Sequence, residues 1–314
     1  MKKFLSLMSV LILSVTLFLS GCEQDLPDDN GKINIVAVNF PQYDFSREIA
    51  KDKANIKMLI QPGVETHTYE PTPGDIIDIE KADVFLYIGG ESDEWIEGIL
   101  ETLNTENTHI VRLIDFVDTL DEEITEGMQS DTYDDSEEPE KDEHIWTSPK
   151  NAVKMVNAIS DAVCSADKDN EEFYKKNTKS YIDKLNGLDK SFRNITKTAK
   201  RRELVFGDRF PLIYFTKEYG LKSYAAFPGC SDETEPSAST IAFLIDKVNN
   251  DNIPVVMKIE LSSGAVAEAV ASATNTEVET FYSCHNLSKE QFEKGENYIS
   301  MMEHNAEALK KALN

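Results

Sequence analysis

The chain has 314 residues, with 57 acidic and 32 basic side chains and a formal charge of −25. So acidic a protein does not bind nucleic acid by neutralising phosphates, and anionic lipid headgroups repel it. Its length accommodates two domains of ordinary size, and its charge suits a cationic ligand without identifying one.

Lys2 and Lys3 precede an almost wholly apolar run, Phe4 to Leu19, which ends in Leu19-Ser20-Gly21-Cys22. A basic start and a short apolar run read as a secretory leader. The small pair before Cys22 resembles the lipobox of bacterial lipoproteins, which implies that residues 1–21 are removed and Cys22 carries the lipid. An uncleaved membrane anchor is the alternative, since the apolar stretch is near the lower length limit for a spanning helix. Either way the body of the protein is expected outside the cytoplasm. Residues 22–32 hold Pro, Gly, Asn and three Asp, the composition of a solvated tether.

From Ile33 the pattern alternates. Strands are predicted at Ile33–Phe40, Asn55–Ile60, Val84–Ile88 and His109–Ile114, with helices at Tyr43–Ala50, after the Thr72-Pro73 cap, and at Trp95–Leu103. Strands alternating with helices imply a mainly parallel sheet covered on both faces. The segment 118–143 interrupts this with 13 acidic residues and one Lys, and it is expected to be a mobile loop. Its carboxylates could collect cations; a merely solvated loop is the plainer reading.

Helical structure restarts at Ser148-Pro149, and Phe173, Tyr181, Leu185 and Leu188 mark one long amphipathic helix from Glu171 to about Lys200. A second block repeats the first. Its strands are predicted at Leu204–Phe206, Lys222–Phe227, Val255–Ile259 and Val278–Tyr282, and its helices at Pro211–Tyr219, Glu235–Asn249, Gly264–Thr274 and Lys289–Leu313. The expected organisation is an α/β lobe at 33–168, a linking helix at 169–201 and an α/β lobe at 202–314. Sites in open α/β sheets lie beyond the carboxyl ends of the strands, so facing lobes enclose a ligand cleft.

With Cys22 assigned to lipid, Cys164, Cys230 and Cys284 remain. Cys164 falls at core spacing in a helix, which leaves Cys230–Cys284 as the candidate disulfide of an oxidising compartment. Of five histidines, His67, His144 and His285 occupy loops at element boundaries, where such folds place ligands, and imidazole commonly ligates metals. His109 and His304 read as surface residues. Three unrelated surface histidines would be the ordinary alternative.

The words around them narrow the choice. Pro-Gly-x-x-x-His-x-Tyr-Glu-Pro-Thr-Pro, His-x-Trp-x-Ser-Pro, Ala-Asp-Val-Phe-Leu-Tyr-Ile-Gly-Gly and Tyr-Ile-Ser-Met-Met-Glu-His-Asn, in this order, resemble the zinc and manganese solute-binding lipoproteins of ABC importers. The resemblance implies two lobes bridged by a rigid helix, a metal between them, and an ABC permease as partner. It places the first two ligands on His67 and His144. The third position of the family pattern falls on Gly207, and the fourth on His285. Asp208 and Glu260 are then the candidates for a remaining ligand or a supporting role, with water equally eligible. Three imidazoles favour Zn2+, with Mn2+ or iron as the alternative cargo.

A zinc hydrolase is the competing class, since three histidines and a water form a hydrolytic arrangement. The chain lacks His-Glu-x-x-His and a nucleophile elbow, so no enzyme is expected. A surface adhesin has nothing in its favour beyond location. A monomer is expected, held to the bilayer through Cys22 and binding no nucleic acid.

Overall fold

The computed structural model describes residue 26 and residues 30–128, 140–229 and 236–314. The leader, Cys22, most of the tether and Cys230 lie outside them. Two four-stranded parallel sheets form the frame. The first contains β1 (Ile33–Ala37), β2 (Ala54–Met58), β3 (Val84–Tyr87) and β4 (His109–Arg112), in the order β2-β1-β3-β4. The second contains β5 (Glu203–Phe210), β6 (Lys222–Pro228), β7 (Val255–Lys258) and β8 (Glu277–Thr280), in the order β6-β5-β7-β8. The two lobes therefore share one topology. In each, the chain leaves the first strand to one side and returns on the other, which opens a crevice at the carboxyl ends.

The inner strands are buried on both faces, as parallel sheets require. On β1 and β3, Ile35, Ala37, Val84 and Leu86 point to a large central core, while Val36 and Phe85 point to an outer one. Val205 and Val256 serve an equivalent outer core in the second lobe. The central core is continuous across both lobes. It is built on α1 (Phe40–Ala50), α4 (Pro149–Ala166), α5 (Glu171–Thr198) and α10 (Tyr298–Leu313). The other helices are α2 (Pro73–Glu80), α3 (Glu94–Leu100), α6 (Ile213–Tyr219), α7 (Ala238–Asn250), α8 (Ala265–Thr274) and α9 (Lys289–Glu293). No helix among the described residues is long and apolar enough to cross a membrane.

Helix α5 has 28 residues and links the lobes. Tyr174, Thr178, Tyr181, Leu185, Leu188, Phe192 and Thr196 form its buried stripe, with the three- and four-residue steps of an α-helix. The expected stripe began at Phe173; Tyr174 is the fully buried ring, and Phe173 packs at the margin.

Two expectations change. The predicted last helix is two helices, because Gly295 takes a left-handed φ of 78° and Asn297 then caps α10 in a reciprocal box with Ser300. The described ends of the acidic segment are ordered. Leu120 and Asp142 both bond the Tyr214 hydroxyl, Glu123 pairs with Lys217, and Asp142 and Glu143 are buried. Such placement gives Glu123 a cation and Asp142 and Glu143 hydrogen-bond donors, which charge counting along the sequence does not detect. Cys284 is a buried free thiol set in the central core, and Cys230, the other half of the candidate disulfide, lies outside the described residues. Its φ of 61° turns the chain so that Cys284 enters the core while His285 faces the cleft.

The lobes are joined at the cleft by directional bonds. The Trp146 indole donates to the Ser283 carbonyl at 2.8 Å, and the Tyr298 hydroxyl donates to the Trp146 carbonyl at 2.6 Å. The Asn286 amide donates to the carbonyls of Gln61 and Val64, and Gly63 N–H donates to the Leu287 carbonyl. Trp146 is fully buried beneath the cleft. Trp146→Ala is expected to lower the unfolding free energy by about 3–5 kcal/mol in denaturant titrations; a loss below about 1 kcal/mol would mean that this contact does not join the lobes.

Candidate metal centre

Every loop that reaches the cleft leaves the carboxyl end of a strand or enters α4. His67 lies in the loop after β2, His285 follows β8, and His144 precedes α4. Local bonds hold each in place. His144 N–H donates to Asp142 Oδ1 at 2.8 Å, and His285 N–H donates to Glu260 Oε1 at 3.1 Å.

The three imidazoles converge. Their ring centroids are 5.1, 5.3 and 5.8 Å apart, and one nitrogen from each lies within 4.8 Å of the other two. Each Nδ1 is already engaged: with Glu65 Oε1 at 2.9 Å for His67, Asp142 Oδ1 at 3.3 Å for His144, and Thr66 Oγ1 at 3.2 Å for His285. A carboxylate on Nδ1 fixes the proton there and leaves Nε2 as a lone-pair donor, the usual support of a metal-ligating histidine. Nε2 of His67 and of His144 are buried without a hydrogen-bond partner. Unpartnered buried nitrogens cost free energy unless something else completes them.

What completes them must be small. The cavity they face holds about 30 Å³ and is also lined by Thr66, Arg209, Gly229 and Glu260. A single water needs roughly 10–15 Å³, so the cavity has room for an ion with a water.

The charges around the cavity are arranged in opposition. Burial, reinforced by His67, His144 and Arg209, holds the His285 pKa well below the ordinary imidazole value and keeps the ring neutral. Burial also opposes charge on His144, but the Asp142 carboxylate, backed by Glu143 and Glu122, outweighs it and raises that pKa. The Glu65 carboxyl is held far below its usual range by the His67 hydrogen bond and, against its partial burial, by Arg209. Arg209 bonds Glu65 Oε2 at 3.1 Å across the cleft.

Asp208 and Glu260 have other commitments. Glu260 accepts from Ser283 N–H and Oγ, both at 2.7 Å, and from His285 N–H, so it shapes the His285 loop from beneath. Asp208 accepts from the N–H groups of Arg209 and Ile259 and is not among the residues lining the cavity. Gly207 does not face the cleft. A Cβ there would lie 2.4 Å from the Ala267 Cα of α8, and after the register shift in β5 it is Arg209 that reaches the cavity. His109 is exposed at the amino end of β4, and exposed His304 packs on the Tyr282 ring. Sequence reasoning missed Glu65, Thr66, Asp142, Glu143 and Arg209. For two of them a signal existed: Glu65 and Asp142 each precede a cleft histidine by two residues.

Two α/β lobes closed on an ion-sized cavity have the architecture of a solute-binding protein. The family model for the periplasmic component A of the zinc-uptake complex, ZnuA, matches residues 35–312. The chain is 34% identical over 282 residues to the high-affinity zinc uptake system protein ZnuA of Bacillus subtilis, covering 90% of this chain and 88% of that protein. It is 33% identical to the zinc-binding lipoprotein AdcA of Streptococcus pneumoniae, over 99% of this chain and 61% of the relative, so it spans less than two thirds of AdcA. The Zn(II)-bound ZnuA-like domain of that AdcA superposes with a TM-score of 0.74 at 32% identity, covering 90% of this chain and 99% of the domain. The chain belongs to the ZnuA family of solute-binding proteins. This family is a transport component and not an enzyme, and it works with an ABC permease outside the cytoplasm.

Because Asp142 raises the His144 pKa, Asp142→Asn is expected to lower it. Nitrogen chemical shifts of the His144 ring, followed through a pH titration of the metal-free protein, will show this; an unchanged midpoint would remove Asp142 from its role.

Proposed function

We propose that the protein is the extracytoplasmic zinc-capturing subunit of an ABC importer. On this reading, residues 1–21 are a leader, Cys22 carries the lipid anchor, and the monomer delivers its ion to a membrane permease. His67, His144 and His285 bind the ion. The observation that carries the reading is the set of three imidazoles whose Nδ1 atoms are engaged and whose other nitrogens face one ion-sized cavity. Three nitrogen donors favour zinc over manganese, which prefers carboxylate and water oxygen. The zinc named in the descriptions of the Bacillus and Streptococcus relatives supports the same cargo.

Capture starts from a site already assembled. Trp146, Asn286 and Gly63 tie the loops of the two lobes together across the cleft. The ion therefore replaces water without the cost of ordering loops around it. Ligation requires neutral imidazoles, so protons compete with the metal.

Isothermal titration of chelator-stripped protein with zinc tests this. Tight one-to-one binding is expected, weakened about a hundredfold or more by His67→Ala, His144→Ala or His285→Ala, since even loss of a supporting partner costs about 10–100-fold. Affinity should fall steeply between about pH 7.5 and pH 5.5, across the histidine range. No zinc uptake by the wild-type protein, or binding indifferent to all three substitutions, would overturn the proposal.

A further inference from the structure

Three imidazoles bring no charge to a dication, and Arg209 adds a positive charge to the cavity wall. A buried charge of this kind needs a carboxylate close to it. Four of the carboxylates around the cleft have both oxygens or their best oxygen committed. Glu65 binds Arg209 and His67 Nδ1; Asp142 binds His144 Nδ1 and N–H; Glu260 holds the Ser283–His285 turn; Asp208 holds Arg209 N–H and Ile259 N–H.

Among the described residues the Glu143 carboxylate is hydrogen-bonded only to Ser92, and its buried Oε1 lies 4.0 Å from His67 Nε2, one of the unpartnered nitrogens. Two donors on one tetrahedral zinc, each about 2.0–2.1 Å from it, are about 3.3–3.4 Å apart. Oε1 therefore moves inward to become a ligand, toward His67 and toward the other two imidazoles, since it starts outside the group of histidine nitrogens that lie within 4.8 Å of one another. The rest of the group is held for that move. Ser92 N–H donates to Oε2 at 3.0 Å, and the Ser92 hydroxyl donates to Oε1 at 2.6 Å. Oε2 can keep the backbone bond while Oε1 turns to the metal, as hydrogen-bonded ligand carboxylates commonly do. The turn after β3 is also shaped around the carboxylate: a Cβ on Gly90 would fall 2.4 Å from Oε2.

Resting on the zinc-capture reading, we infer that Glu143 supplies the fourth ligand, making the loaded site three imidazoles and one carboxylate. The site then takes its oxygen donor from the residue beside His144, at the entry to α4, and Arg209 occupies the β5 side, pinned by Glu65 away from the ion.

The test uses the signal-less protein loaded with Co2+, whose visible spectrum reports coordination, beside zinc titrations. With the fourth position filled, thiocyanate should leave the wild-type cobalt spectrum unchanged. Glu143→Ala should open the position, so that thiocyanate shifts the spectrum, and zinc affinity should fall about 10–100-fold. Glu143→Gln preserves shape and can still accept from Ser92, so it separates ligation from folding; it should weaken zinc in the same direction. Gly90→Ala, which displaces the carboxylate without removing it, should do likewise. A wild-type cobalt protein that responds to thiocyanate as the alanine variant does, or zinc affinity equal in wild type and Glu143→Gln, would overturn the assignment while leaving zinc capture intact. Failure of the wild-type protein to take up zinc or cobalt at all would overturn both.

Discussion

The engagement of three Nδ1 atoms is the constraint on which the cleft depends. An imidazole free to flip presents either nitrogen, and a cavity lined by such rings has no defined donor set. Here Glu65, Asp142 and Thr66 each hold one Nδ1, so the opposite edges face a common point. Those three partners are themselves fixed: Glu65 by Arg209 of the other lobe, Asp142 by the backbone N–H of His144, Thr66 by burial in the closed loop after β2. The arrangement leaves two buried imidazole nitrogens without a hydrogen-bond partner, a cost that a small group bound in the cavity would remove.

Rigidity between the lobes serves the same end. Coordination tolerates errors of a few tenths of an ångström, and two bodies joined by a flexible strap would not keep three donors in register. The continuous core under α4, α5 and α10, with fully buried Trp146 at its upper edge, makes the two sheets one body where the site is built. The polar bonds from Trp146 and Asn286 then fix the loops above that core. Cys284 and His285 show the economy of the design, because one left-handed residue sends a thiol into the core and its neighbour into the cavity.

The acidic segment takes a different character from its composition. Composition pointed to a solvated loop, yet Asp142 and Glu143 are buried, Asp142 against the His144 ring and Glu143 beside His67. Their environment also perturbs neighbours. Asp93 is pushed up to about 7 by burial, offset by backbone hydrogen bonds and aided by Glu143; Glu91 rises to about 7 through burial and its contact with Glu140. Negative charge is thus concentrated on the first lobe's side of the site, where a cation is best received.

The alternation of apolar strands with amphipathic helices was legible in the sequence, because periods of 2 and 3.6 follow from local backbone geometry. So were the two-lobed α/β class, the linking helix α5 and the three histidines, whose loop positions follow from where parallel strands end. Tertiary structure decided the rest. Whether Gly207 or Arg209 reaches the cavity depends on a register shift in β5 and on the approach of α8. Whether Cys284 enters the core depends on the direction its side chain takes from a left-handed turn. Which carboxylates brace the histidines, and which one lies beside His67 Nε2, depends on segments far apart in the chain meeting at one cleft. Local sequence specifies the donors, and only long-range packing specifies their partners, since a hydrogen bond reports a distance in space and none along the chain.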